Sequence, residues 1–175
     1  MRTLITRRAL AALMVLAISL TAIPAHAKCK FNVDTLHSRT GEKVLWTKWD
    51  TFTLVIVGDT IVGSGVSIGD KKYFAVRVDQ GADKGELIIP ENGKLLILMD
   101  DESILELHTE EEVIGDRDPW HVVEAVVKFP LDAATLNALL TKRIMNIRLQ
   151  TNGGDKDYKF GKKGAKKMQK VLACI

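Results

Sequence analysis

The sequence is poor in the residues that usually announce a catalytic or metal centre. It has two cysteines, Cys29 and Cys174, so it lacks a Cys-x-x-Cys redox pair and a thiolate set for zinc. Its four histidines include no His-Glu-x-x-His and no His-x-His, which leaves a metalloprotease without support. Gly-x-Ser-x-Gly is absent. Gly63-Ser64-Gly65 only superficially resembles an esterase elbow, because it lies in a strand pattern where a bulge, or close packing at Gly63 and Gly65, is the simpler expectation. Gly63, Gly65 and Gly69 are too spread out for a phosphate loop, and no Gly-Lys-Ser/Thr follows them. The four prolines form no linker, and no repeat or low-complexity stretch is present. No apolar run reaches the ~20 residues of a membrane-spanning helix.

The run nearest to that length is Ala9 to Ile23, and its flanks explain it. Arg2, Arg7 and Arg8 precede it, and Ala25-His26-Ala27 follows with small residues where a signal peptidase reads. This layout predicts a cleaved export signal over 1–27 and a single mature domain over 28–175. Thr6-Arg7-Arg8-Ala9-Leu10 partly matches a twin-arginine signal, but the remainder suits the Sec route. Lys28 separates the cut from Cys29, which argues against a lipid anchor. The expected location is the periplasm or the extracellular medium.

Removing the leader changes the charge. The whole chain carries 25 Lys+Arg and 22 Asp+Glu, and the leader holds three of the arginines, so the mature chain is near neutral. Nucleic acid is therefore not an expected partner. The remaining charge is polarised. Residues 141–175 hold ten Lys/Arg against Asp155 and Asp157, whereas residues 28–140 hold twelve against twenty acids. The two regions could neutralise one another within one molecule or between subunits.

Cys29 and Cys174 lie at opposite ends of the mature chain. In an oxidising compartment they are expected to pair, tying the amino-terminal segment to the final helix.

The elements read as an α+β domain. Alternation predicts strands over 51–57, 61–68, 73–79, 95–99, 104–109, 120–129 and 145–149, with Asn92-Gly93 as a hairpin signal. Asp132 is placed to cap a short helix containing Leu136, Leu139 and Leu140. Gly164, Met168, Val171, Leu172 and Ile175 predict the apolar face of a longer final helix. The expected fold is predominantly antiparallel sheet, as a sandwich or partial barrel, with one short and one longer C-terminal helix.

Three features could carry function. Asp100 to Asp118 is rich in carboxylates and neighbours His108 and His121, so a general base or hard-cation site could assemble there. The spacing matches no calcium loop, and two solvated turns account for the same residues. Trp46 and Trp49 would stack on sugars if both were exposed, though packing is the default. The best interaction candidate is the basic face of the final helix, carrying Lys159, Lys163, Lys166 and Lys170 and suited to an envelope protein or an anionic surface component. The reading is a non-catalytic envelope binding protein with no catalytic, metal or cofactor residue assigned. The alternative is a small periplasmic hydrolase or metal-dependent enzyme using carboxylates and histidines between Asp100 and His121.

Overall fold

The computed structural model describes residues 29–51, 59–117 and 122–175. The expected leader, the part of the first expected strand over Phe52 to Val57, and Asp118, Trp120 and His121 lie outside the described residues.

Most of the molecule is antiparallel sheet, as the alternation predicts. The larger sheet is a curled half-barrel. It orders β1 (Phe31–Leu36), β2 (Lys43–Thr47), β4 (Thr60–Ile68), β5 (Lys71–Gly81), β11 (Val122–Leu131) and β10 (Asp116–Arg117). The two-residue β3 (Asp50–Thr51) continues beside β4 after β2 bends away. A second sheet orders β13 (Gly154–Lys159), β12 (Ile144–Thr151), β7 (Lys94–Met99) and β8 (Ile104–His108). The pair β6 (Ile88–Ile89) and β9 (Val113–Ile114) lies apart from both. Helix α1 (Ala133–Thr141) follows β11, and α2 (Lys162–Leu172) follows β13.

Among the described residues the main core lies between the sheets and under the helices, and a smaller cluster of Val66, Tyr73 and Ala75 carries Trp46, Trp49 and Ile68. Ile61, Phe74, Val76 and Val78 meet Val123, Ala125, Val127 and Phe129 across the β4–β5–β11 ladders. Leu95, Ile97, Ile147 and Leu149 contribute from the second sheet, Leu139 from α1, and Met168 and Leu172 from α2. Asp132 caps α1 as expected, its carboxylate accepting the Thr135 N–H at 2.6 Å. Pro130 sits within β11 beyond the reach of β10, where its missing N–H costs no ladder bond on that side.

Several expectations are corrected. Gly63-Ser64-Gly65 is not a bulge: the β4–β5 register runs unbroken from Thr60↔Asp79 to Ile68↔Lys71. The glycine at 65 serves close packing instead. A Cβ there would lie 3.1 Å from the Val171 carbonyl and 3.2 Å from Ile175, so α2 docks on bare backbone. Ser64 is fully buried and its Oγ donates to the Thr47 carbonyl at 2.8 Å, so it is no nucleophile. Asn92-Gly93 makes a turn, with Asn92 at φ 58° and Gly93 donating to Pro90, but no hairpin follows because β6 pairs with β9. Strict alternation would put Met145 on the face of Ile147 and Leu149, but it faces outward, since a bulge between Ile144 and Asn146 resets the alternation.

The terminal staple is present. Cys29 and Cys174 form a disulfide with their Cα atoms 5.7 Å apart. It joins the chain just before β1 to the end of α2.

Candidate functional site

Helix α2 is amphipathic in the simplest way. Gly164, Ala165, Met168 and Leu172 are buried on one side, and Lys162, Lys163, Lys166, Lys167 and Lys170 fill the other. At 3.6 residues per turn these lysines span an arc of about 140°. The arrangement is poor for the helix itself. Lys162–Lys166, Lys163–Lys167 and Lys166–Lys170 are like-charge pairs four residues apart, which destabilise a helix. Two lysines also occupy the first turn, which has no acidic residue, and Gly161 offers no side-chain cap. Helix stability therefore does not explain the pattern.

Pairing divides the ten basic residues of the carboxyl-terminal region into two sets. Lys142 meets Asp101 at 2.7 Å, Arg143 meets Asp100 at 3.7 Å, and Lys167 meets Asp50 at 2.7 Å. Arg148 clasps both carboxylate oxygens of Asp157 at 2.9 Å. Lys156 reaches Asp59 at 3.0 Å and Gln80 at 2.8 Å. The expected neutralisation between the acidic and basic regions thus occurs within one molecule for Lys142, Arg143, Lys156 and Lys167, whereas Arg148 pairs with Asp157 of its own region. Lys159, Lys162, Lys163, Lys166 and Lys170 make no ion pair within 4.0 Å among the described residues.

Lys159 needs a correction. It is the last residue of β13, opposite Asn146 on the second sheet, and not part of the helix. Its charge helps hold Asp157 below the usual carboxylate range, after the hydrogen bond from Arg148 that dominates that shift. The strand is polar because it is a sheet edge, where charged residues prevent further pairing. Lys162 replaces Lys159 on the helix face.

The acidic stretch is distributed differently. Asp100 and Asp101 sit at the tip of the β7–β8 hairpin, bound to Arg143 and Lys142. The Lys142 hydrogen bond, with help from Ser103, holds Asp101 far below the usual range. Asp116 lies on β10 in the other sheet. Glu106 and His108 share an open groove of about 610 Å³ with Glu110, Asp70 and Asp132. Yet His108 faces acceptors at both ring nitrogens, the Asn92 carbonyl at 3.2 Å and Glu106 at 3.1 Å. The Lys94 hydrogen bond keeps Glu106 ionised and below its usual range, which disfavours it as a proton donor. Among the described residues no group of three or more His, Cys, Asp or Glu side chains is placed to hold a metal.

The tryptophans do not form a flat exposed platform. Trp46 and Trp49 are half-buried, with ring centroids 5.7 Å apart and planes tilted by 60°. Arg77 sits 5.8 Å from the Trp49 ring centroid. Trp49 nevertheless lines a cleft of about 190 Å³ beside the disulfide, together with Lys30, Lys48, Asp50, Lys170 and Cys174. Lys30 and Lys48 are absent from the sequence expectation. The signal that could have found them is the disulfide, which brings the residue after Cys29 next to the final helix.

No family model, no curated protein and no solved structure matches the chain.

Proposed function

We propose that the mature chain is an exported, non-catalytic binding protein of the bacterial cell envelope that engages an anionic partner through the lysine face of α2. The observation that carries this reading is the division of the basic residues. Half of a highly charged segment is consumed by internal ion pairs, and the other half is left exposed and concentrated beside one helix. The leader over 1–27 and a disulfide between the ends of the mature domain support export. The hydrolase alternative draws on the groove at His108, where the ring and the nearest carboxylate are already engaged with each other and with Lys94.

Two measurements test the proposal. Edman sequencing of the protein from a periplasmic fraction is expected to begin at Lys28; an intact chain retained in the cytoplasm removes the export half. Binding of the oxidised mature chain to an immobilised polyanion should weaken steeply as salt rises, because exposed charges are screened beyond ~10 Å at 0.1 M. Association that ignores salt, or that survives Lys163→Gln/Lys166→Gln/Lys170→Gln, removes the binding half.

A further inference from the structure

We infer that the cleft between α2 and the β2–β3 bend is the specificity subsite of this face, and that it takes one anionic sugar residue, carboxylated or phosphorylated, of a linear acidic polysaccharide. The inference rests on the binding function proposed above and adds the class of ligand.

Three cations from three separate segments line the cleft. Lys30 follows the disulfide, Lys48 lies in the bend between β2 and β3, and Lys170 comes from α2. The first two segments are tied together, the Lys48 N–H donating to the Lys30 carbonyl at 2.9 Å. Asp50, the one carboxylate lining the cleft among the described residues, is occupied by Lys167 at 2.7 Å. Lys30, Lys48 and Lys170 have no carboxylate within ion-pair range among the described residues. Gathering like charges around a concavity costs energy, and an anion bound there would recover it.

The lining also has an apolar part. Trp49 and Val171 line the same cleft. The Trp49 ring packs against Trp46, Arg77 and the cluster of Val66, Tyr73 and Ala75. At about 190 Å³ the cleft lies below the 300–1,000 Å³ of sites that enclose a drug-sized ligand, and suits a single ring. A charged ring with apolar C–H edges fits a cleft lined by both tryptophan and lysines.

The surroundings favour a linear polysaccharide over the other polyanions. Lys162, Lys166 and Lys170 advance about 6 Å per step along the helix, and the last of them reaches the cleft. A chain of anions lying along α2 would therefore end with one residue in the concavity. A membrane surface is a poorer fit. Interfacial helices insert an apolar face, whereas that of α2 is buried against the core. An acidic peptide would seek backbone partners, and the neighbouring edge of β4 is already filled by β2 and β3.

The test is calorimetric titration of the oxidised mature chain with trigalacturonate, mannose 6-phosphate, polygalacturonate, neutral galactan, poly-glutamate and phosphatidylglycerol vesicles. Binding of at least one small anionic sugar is expected, with none to galactan. The variant Lys30→Gln/Lys48→Gln should lower small-sugar affinity by about tenfold or more, while Lys162→Gln/Lys163→Gln/Lys166→Gln lowers it less than about threefold. Both variants should weaken the polymer. The exposed positions substituted leave the core intact, and a thermal melt of each variant verifies folding. Polymer binding without small-sugar binding, or small-sugar binding indifferent to Lys30 and Lys48, overturns the subsite and leaves the helix face standing. Vesicle or poly-glutamate binding equal to or tighter than polygalacturonate overturns the choice of polysaccharide. No binding to any polyanion at low salt overturns both this inference and the function on which it rests.

Discussion

The hairpin around Asp100 and the helix around Lys166 are both dense in charge, and they differ in what the fold does with that charge. The hairpin carboxylates Asp100 and Asp101 lie 2.7–3.7 Å from Arg143 and Lys142, and Glu106 is held by Lys94 and His108. The helix lysines, apart from Lys167, are left without partners among the described residues. Charge density is thus no guide to a site. What separates the two regions is whether the rest of the molecule supplies the opposite charge at the right distance. The seam between the sheets sharpens the point, because Lys156 belongs to the same basic run. Its side chain is only 19% exposed, and it bridges β13 to Asp59 and Gln80. One lysine of the run is a structural strut, and its neighbours a few residues on are free cations.

The largest effect should come from cutting the support of the helix. The disulfide spans a sequence separation of 145 residues. In the chain-entropy account, a loop longer than 100 residues is worth ~5 kcal/mol. Cys29→Ser/Cys174→Ser should therefore lower the melting temperature by well over ten degrees, since ~1 kcal/mol moves a domain of this size by roughly 2–4 °C or more. The cleft lysines should lose their common position at the same time. A melt unchanged by the substitution would mean that α2 is held by its apolar face alone.

Next in size is the seam. Burial pushes the Asp59 carboxyl up, but hydrogen bonds and charge from Lys84 and Lys156 outweigh it and hold the group below its usual range. A carboxylate depressed in the folded state contributes stability above its unfolded pKa of about 3.9 and loses it as the pH falls through the lower folded value. Asp59→Asn should thus destabilise at pH 7, and its difference from the unsubstituted chain should shrink below about pH 4. Parallel stability curves between pH 2 and 7 would show that the seam carries no linked proton.

Tyr158 makes a smaller and opposite case. Its hydroxyl is buried without a hydrogen-bond partner among the described residues, and burial, then Asp59 and Asp79, push its pKa up. An unsatisfied buried polar group costs about 1–3 kcal/mol, so Tyr158→Phe should be neutral or stabilising by up to ~1 kcal/mol in chemical denaturation. Because the folded pKa is raised, the tyrosine chain should also lose stability above about pH 10, the unfolded value, and the phenylalanine variant should lose less. Clear destabilisation by Tyr158→Phe would reveal a partner for the hydroxyl.

These contrasts mark what could be read in the sequence. Fold class, the disulfide, the Asp132 cap and the apolar face of α2 were all legible, because period, terminal cysteines and capping chemistry are local signals. β13 was not. Gly154-Asp155-Lys156-Asp157-Tyr158-Lys159 has one large apolar residue and is a strand only because β12 offers an edge, so Lys159 read as helix. Partner choice was equally hidden. Nothing local distinguishes Lys167 from Lys166, yet one meets Asp50 from 117 residues away and the other meets no acid among the described residues. Lys30 and Lys48 belong to the cleft only after the chain has closed on itself.

The smallest effect on stability should be the most informative. Lys162→Gln/Lys163→Gln/Lys166→Gln relieves like-charge pairs and two unfavourable charges in the first turn of α2, each worth at most a few tenths of ~1 kcal/mol before salt screening. The variant should melt at the same temperature or slightly higher at low salt, and the gain should vanish as salt is added. Substituting the paired lysine instead, Lys167→Gln, removes a bond to Asp50 and should melt slightly lower. Stabilisation on removal would show that these lysines do not serve the stability of the fold. If the triple substitution destabilises instead, these lysines have internal partners, and the distinction between the two charged regions fails at its root.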